Sequence, residues 1–148
     1  MRCKKRFKAF YFVDGVCLLL ILLFVYAAVN KLLDHQKFRI QLGQSPMLTA
    51  FAEIYVWVVP ILEMLTSFLL AWRKTRLAGL FSSFSLMTLF STYIVVITRF
   101  SEYTPCSCGG VLEKLSWNAH LLFNIVFWLL ALLAIWFTDA PLPKSIKK

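Results

Sequence analysis

An all-α integral membrane four-helix bundle with both termini in the cytoplasm is the fold class that three features of this sequence predict. They are its hydropathy, four apolar stretches long enough to cross a bilayer, and a lopsided distribution of basic residues. Of 148 residues, 60% are hydrophobic and 16% aromatic, and the mean hydropathy is +0.74. Soluble domains run nearer half apolar. Fourteen Phe and five Trp do not fit one small water-soluble core, but they suit a bundle whose outer surface meets lipid, with Trp near the headgroups. That leaves one membrane domain over residues 10–137, preceded by a basic N-terminal segment, 1–9, and followed by a tail, 138–148.

Crossing about 30 Å of hydrocarbon takes about 20 apolar residues. Four stretches pass, at about 10–30, 47–72, 77–98 and 117–137. The second and third are joined only by Arg73-Lys74-Thr75-Arg76, so they form an antiparallel pair. Polar stretches of about 18 residues separate the first from the second and the third from the fourth. The first follows Met-Arg-Cys-Lys-Lys-Arg and contains Ala27-Ala28, as a secretory signal would, but its apolar run exceeds a typical signal core and three more spans follow. An uncleaved first helix is the expectation. Pro141 and Pro143 lie beyond the last span, where prolines stop a helix.

The sixteen Lys and Arg, behind a net charge of +9, sit between the apolar blocks rather than on one basic face, which excludes nucleic acid as a partner. Eleven fall in the two terminal segments and the 73–76 turn, against five at Lys31, Lys37, Arg39, Arg99 and Lys114. By the positive-inside rule, the termini and the turn are cytoplasmic in an inner membrane and the other two loops face outward.

Ionisable groups within a span require a partner or a purpose. Asp14 lies about a turn inside the cytoplasmic end of the first helix, within reach of headgroups or of the basic cluster that precedes it. In the second, Glu53, Pro60, Glu63 and Ser67 recur near helical spacing, which places them on one stripe facing the bundle interior. Glu63 lies about 22 Å below Leu48. Pro60 removes a backbone donor and frees the Val56 carbonyl. Glu63 is either a paired packing residue or one that handles a ligand or protons. The third helix carries Gly79, Ser82, Ser83, Ser85, Thr88, Ser91 and Thr92, small or hydroxylated residues that let helices approach closely.

Of the four cysteines, Cys3 falls in the cytoplasmic segment and Cys17 about 10 Å inside the first helix. Pro105-Cys106-Ser107-Cys108-Gly109-Gly110 occupies the outer loop, where disulfides are permitted. Two Cys one residue apart can be bridged only through a tight ring, so a Cys106–Cys108 disulfide is strained and easily reduced, which suits exchange better than stapling. If 111–115 begin a helix, its N-terminus favours the thiolates. His120 and Asn124, four apart on one face of the fourth helix, lie about 5 and 10 Å below its outer end. His120 can deprotonate a thiol, join it in holding a metal, or hydrogen-bond to a neighbouring helix. A single His with a Cys-x-Cys pair is too small a set for zinc, and no metal site is assigned. Asn30, Lys31 and Asp34, with Glu53, His120, Asn124 and the cysteines, are expected to line a polar mouth between the helices.

Ala27-Ala28-Val29-Asn30-Lys31-Leu32-Leu33-Asp34, then Phe38, Pro46 and Pro60-x-x-Glu63, resemble the DoxX-like membrane proteins. The addition of Cys106-x-Cys108-x-Gly110 before the fourth span resembles the branch of the methylamine utilisation protein MauE. The resemblance covers roughly 10–137. It implies an inner-membrane protein for maturation, folding or transport of an exported, disulfide-rich partner, which in the namesake system is the methylamine dehydrogenase small subunit. It supports Lys31, Glu63, Cys106, Cys108 and Gly110 as family positions. Gly109 stands where the commoner form has an aromatic residue, so that substrate does not carry over with the likeness.

Three functions follow. In the first, Cys106 and Cys108 cycle between dithiol and disulfide with an extracytoplasmic thioredoxin-like protein or its exported client. Lys31, Glu53 and His120 then set the electrostatics. Four-helix enzymes of the DsbB and vitamin K epoxide reductase types pass electrons to quinone through two cysteine pairs. This chain has one outer pair, so a quinone is a candidate cofactor without a complete relay. In the second, the protein is a non-enzymatic subunit of a membrane complex, or a chaperone, with the pair as a structural clip. The third is a small-molecule or ion carrier using Glu63 and Asp14.

Overall fold

The computed structural model of the chain describes residues 2–43, 49–100 and 116–138. Five α-helices are present among them: α1 (Arg2–Leu33), α2 (His35–Gly43), α3 (Ala52–Ala71), α4 (Arg76–Phe100) and α5 (Trp117–Thr138). A short 3-10 turn, Thr49–Phe51, leads into α3. Four of the helices contain apolar segments long enough to cross a membrane, at Phe10–Leu33, Ala52–Ala71, Arg76–Arg99 and Trp117–Thr138. They correspond to the four stretches expected from hydropathy. The chain is thus a helical, multi-pass membrane protein.

The helices form a ring in which α1 packs on α3 and α5, and α4 packs on the same two. At 1.5 Å per residue the 24-residue apolar part of α1 measures about 36 Å, enough to span hydrocarbon with some tilt. Its buried stripe, Val13, Val16, Cys17, Leu20 and Phe24, follows the 3-4 spacing of one helix face. It meets Leu70 of α3, Leu80, Leu86 and Met87 of α4, and Ala131, Ala134 and Ile135 of α5. Cys17 is a buried member of this core, as a small apolar side chain would be. Many of the remaining large apolar side chains, such as Leu18, Leu22, Ile61, Phe68 and Trp136, are exposed, which a lipid solvent permits.

α3 and α4 meet at Gly79. A Cβ there would lie 2.8 Å from the Leu70 backbone nitrogen, so only glycine allows this approach. One turn on, fully buried Ser83 donates its hydroxyl to the Gly79 carbonyl at 2.8 Å, satisfying itself without a neighbouring helix. The expected close-packing role belongs to these two residues. Ser85 and Thr92 are exposed, while Thr88 accepts a hydrogen bond from the Trp128 indole at 2.9 Å and ties α4 to α5.

The two ends of the bundle differ. At the end of the basic turn, Asp14 accepts a hydrogen bond from Arg76 and stands 3.8 Å from Arg73, whose guanidinium lies over the Phe10 ring. The carboxylate expected at the headgroups or beside the N-terminal basic cluster is paired instead with the turn that precedes α4. At the opposite end α1 does not give way to a featureless polar loop. The Asp34 nitrogen donates to the Asn30 carbonyl and the Phe38 nitrogen to the Asp34 carbonyl, which carries the chain through one bend into α2. Phe38 and Leu42, one turn apart, face down onto Ala52 and Val56 and make α2 a short lid on α3.

Candidate functional site

Beneath α2, side chains from all five helices surround a cavity of about 360 Å³. Its depth is set by the direction in which side chains leave a helix. Each Cα–Cβ bond tilts toward the helix N-terminus. α1 ends at this end of the bundle, so Lys31 points inward. α3 starts here, so Glu63, eleven residues below Ala52, points back outward. They meet in a salt bridge of 2.6 Å from Lys31 Nζ to Glu63 Oε1. Glu63 is 0% exposed and Lys31 21%. The ammonium also lies 5.8 Å from the Phe38 ring centre and 5.6 Å from that of Phe90, so two aromatic faces share its charge.

α5 supplies the facing wall. Ser116 caps it, its hydroxyl accepting from the Ala119 nitrogen at 3.3 Å and its carbonyl from the His120 nitrogen at 2.9 Å. This sets the phase of the helix, and His120 and Asn124, one turn apart, both line the cavity. Asn124 is 5% exposed. Two buried polar atoms here lack a hydrogen-bond partner, Oε2 of Glu63 and Nδ2 of Asn124. An acceptor and a donor thus stand unpaired in a chamber walled largely by Leu, Val, Met and Phe side chains.

Lys31, Glu63, His120 and Asn124, drawn from three helices, are brought together, and Asn30 and Asp34 stand with them. Glu53 is not brought to them. It pairs instead with Arg39 of α2, its side chain 68% exposed. Pro60, Glu63 and Ser67 keep to the buried face of α3, but Glu53 lies near its start and turns out to meet a cation. Lys31 stands at this end of the bundle, and Glu63, eleven residues into α3, reaches it.

Cys106 and Cys108 lie outside the described residues, as do 111–115, expected to begin a helix. Among the described residues no three His, Cys, Asp or Glu stand close enough to hold a metal ion. Reading the residues one at a time missed Phe90, Tyr93 and Lys37 in the cavity wall, and the α2 lid. The i, i+4 pair Phe38 and Leu42 was the available signal for α2. Nothing local marks Phe90 and Tyr93 among the many aromatics.

No curated protein and no solved structure matches the chain. The family model described as "Methylamine utilisation protein MauE" matches residues 9–137, from just before the first apolar segment to the end of the fourth. With four apolar helices and a match over most of its length, the chain belongs to the MauE family.

Proposed function

We propose that this protein supports the maturation of an exported partner by thiol–disulfide exchange at Cys106 and Cys108. In this reading it sits in the inner membrane as a DoxX-like bundle with cytoplasmic termini and an outward cysteine loop. The family description names methylamine utilisation. The observation that carries the reading is the cavity. Lys31, Glu63, His120 and Asn124 line one chamber at the end of the bundle where the chain leaves α4 at Phe100 and re-enters at Ser116. The pair falls within that fifteen-residue excursion.

The exchange needs no group beyond two cysteine pairs. A Cys106 or Cys108 thiolate attacks a disulfide sulfur of the partner, releasing one partner thiolate and forming a mixed disulfide. The second cysteine then attacks the first, closing the Cys106–Cys108 bond and releasing the other partner thiolate. Two electrons pass to the partner, and the reverse sequence oxidises it. In this reading His120, which lines the chamber at that end, is the base for the thiols, while the Lys31 charge is engaged by Glu63. Buried Cys17 lies about 21 Å below Lys31 along α1, too deep to act as a resolving thiol for the loop.

That isolation of Cys17 also favours a second reading, a non-enzymatic subunit of a membrane complex or a chaperone with the cysteine pair as a clip. Thiol trapping separates the two. Poised between roughly −320 and −120 mV, the purified protein is expected to convert between dithiol and disulfide within the range of common thiol couples. A pair that stays in one state across that range, with function surviving Cys106→Ser/Cys108→Ser, leaves the second reading standing. Loss of function on Glu63→Gln alone, with the fold intact, moves weight to a carrier.

A further inference from the structure

The cavity asks for a ligand on grounds independent of the cysteines. We propose that it binds a neutral amphiphile whose head carries carbonyl and hydroxyl oxygens. A carbonyl accepts from Asn124 Nδ2 and a hydroxyl donates to Glu63 Oε2, while the apolar body lies among Phe24, Leu62, Leu86 and Phe90.

Four observations converge on this chemistry. The first is volume, about 360 Å³, within the range of small-molecule sites. The second is the pair of unpartnered atoms, a carboxylate oxygen of a fully buried Glu and an amide nitrogen of a 5% exposed Asn. A buried donor and acceptor left unpaired in a hydrocarbon environment are costly, and a head offering both functions satisfies them together. Glu63 is held by Lys31 and Asn124 by its helix, so neither is free to collapse onto the other.

Charge is the third. The ionic side chains lining the cavity are Lys31 and Lys37 on one hand and Asp34 and Glu63 on the other. Two cations against two anions give a charged head no counter-charge, and a neutral head suffers no penalty. The last is access. Val58 and Leu62 of α3 and Leu89 of α4 line the cavity and are exposed, so its wall is shared with the lipid-facing surface. A lipid-soluble molecule reaches the site from within the bilayer.

A monoacylglycerol carries both functions, an ester carbonyl and free hydroxyls, whereas a quinone offers carbonyls without a hydroxyl donor. The full-length protein in detergent is titrated with decylubiquinone and, separately, with 1-oleoylglycerol. Tryptophan quenching reports the first and native mass spectrometry the second, with palmitate as the charged control. 1-Oleoylglycerol is expected to bind one-to-one, and more tightly than decylubiquinone, which has no donor for Glu63 Oε2. Asn124→Leu, which keeps the volume and removes the donor, is expected to weaken it about ten-fold or more. Ala27→Phe, which fills the chamber from α1, is expected to abolish binding. Thermal melting verifies that both variants fold. Cys106→Ser/Cys108→Ser is expected to bind as the wild type does, which keeps this result apart from the thiol reading. The proposal is overturned if 1-oleoylglycerol does not bind, if decylubiquinone or palmitate binds as tightly as it does, or if both cavity variants bind unchanged.

Discussion

Lys31 and Glu63 show how one buried pair can be asymmetric. Lys31 is two residues from the end of α1 and 21% exposed, so an unpaired Lys31 can turn its ammonium toward the interface. Glu63 is fully enclosed eleven residues into α3 and has no such escape. Lys31→Met, which strands the carboxylate, is therefore expected to lower unfolding free energy by about 3–5 kcal/mol. Glu63→Gln costs visibly less, and Lys31→Met with Glu63→Leu recovers most of the loss, because well-packed apolar replacements of a buried ion pair are close to neutral. Unfolding in a graded denaturing detergent, arranged as a double-mutant cycle, measures all three. Equal losses for the two single variants would show that Lys31 is as trapped as Glu63.

At the level of the elements, glycine has opposite meanings in two helices. Gly15 of α1 has nothing within 4 Å of where a Cβ would stand, whereas at Gly79 of α4 the Leu70 nitrogen lies at 2.8 Å and the Leu69 carbonyl carbon at 3.0 Å. Backbone cannot swing aside as a side-chain tip can. Gly79→Val is expected to push α3 and α4 apart and cost about 1–3 kcal/mol. Gly15→Ala, in an open stretch of helix, is expected to gain up to about 1 kcal/mol. Melting midpoints that fall for Gly79→Val and hold or rise for Gly15→Ala test the pair together. α2 shows how a lid is made from a sequence poor in apolar residues. Two side chains, Phe38 and Leu42, one turn apart and buried on Ala52 and Val56, suffice when a span lies directly beneath.

For the whole molecule, the two ends have different chemistry, and their orientation is open to a direct test. One end is fastened by Asp14 to Arg76 and Arg73 of the basic turn, and the other holds the cavity, with α4 ending and α5 beginning there. With eleven of sixteen cations in the terminal segments and the basic turn, the positive-inside rule expects the end of that turn in the cytoplasm. A membrane-impermeant maleimide should then label reduced Cys106 and Cys108 in right-side-out vesicles and miss a cysteine placed at Lys74. Labelling at position 74 and not at the loop would reverse the topology and remove the loop from an exported partner.

Length, hydropathy and charge bias by themselves determined four spans and the antiparallel pairing of the second and third, since lipid imposes an apolar length that any sequence must meet. Single-residue chemistry was legible too. Intramembrane Asp14 and Glu63 each required a partner or a purpose, and His120 and Asn124, four apart, share a helix face. Which partners they meet was decided only by tertiary structure, because pairing depends on the azimuth and relative slide of helices, neither of which periodicity records. Glu63 matched the spacing of Glu53 yet faces Lys31, while Glu53 faces Arg39 outside. Lys31 and Glu63, 32 residues apart in the chain, meet because two antiparallel helices aim their side chains at one another. The same geometry leaves one oxygen and one amide nitrogen unpaired in a cavity that no local signal in the sequence announces.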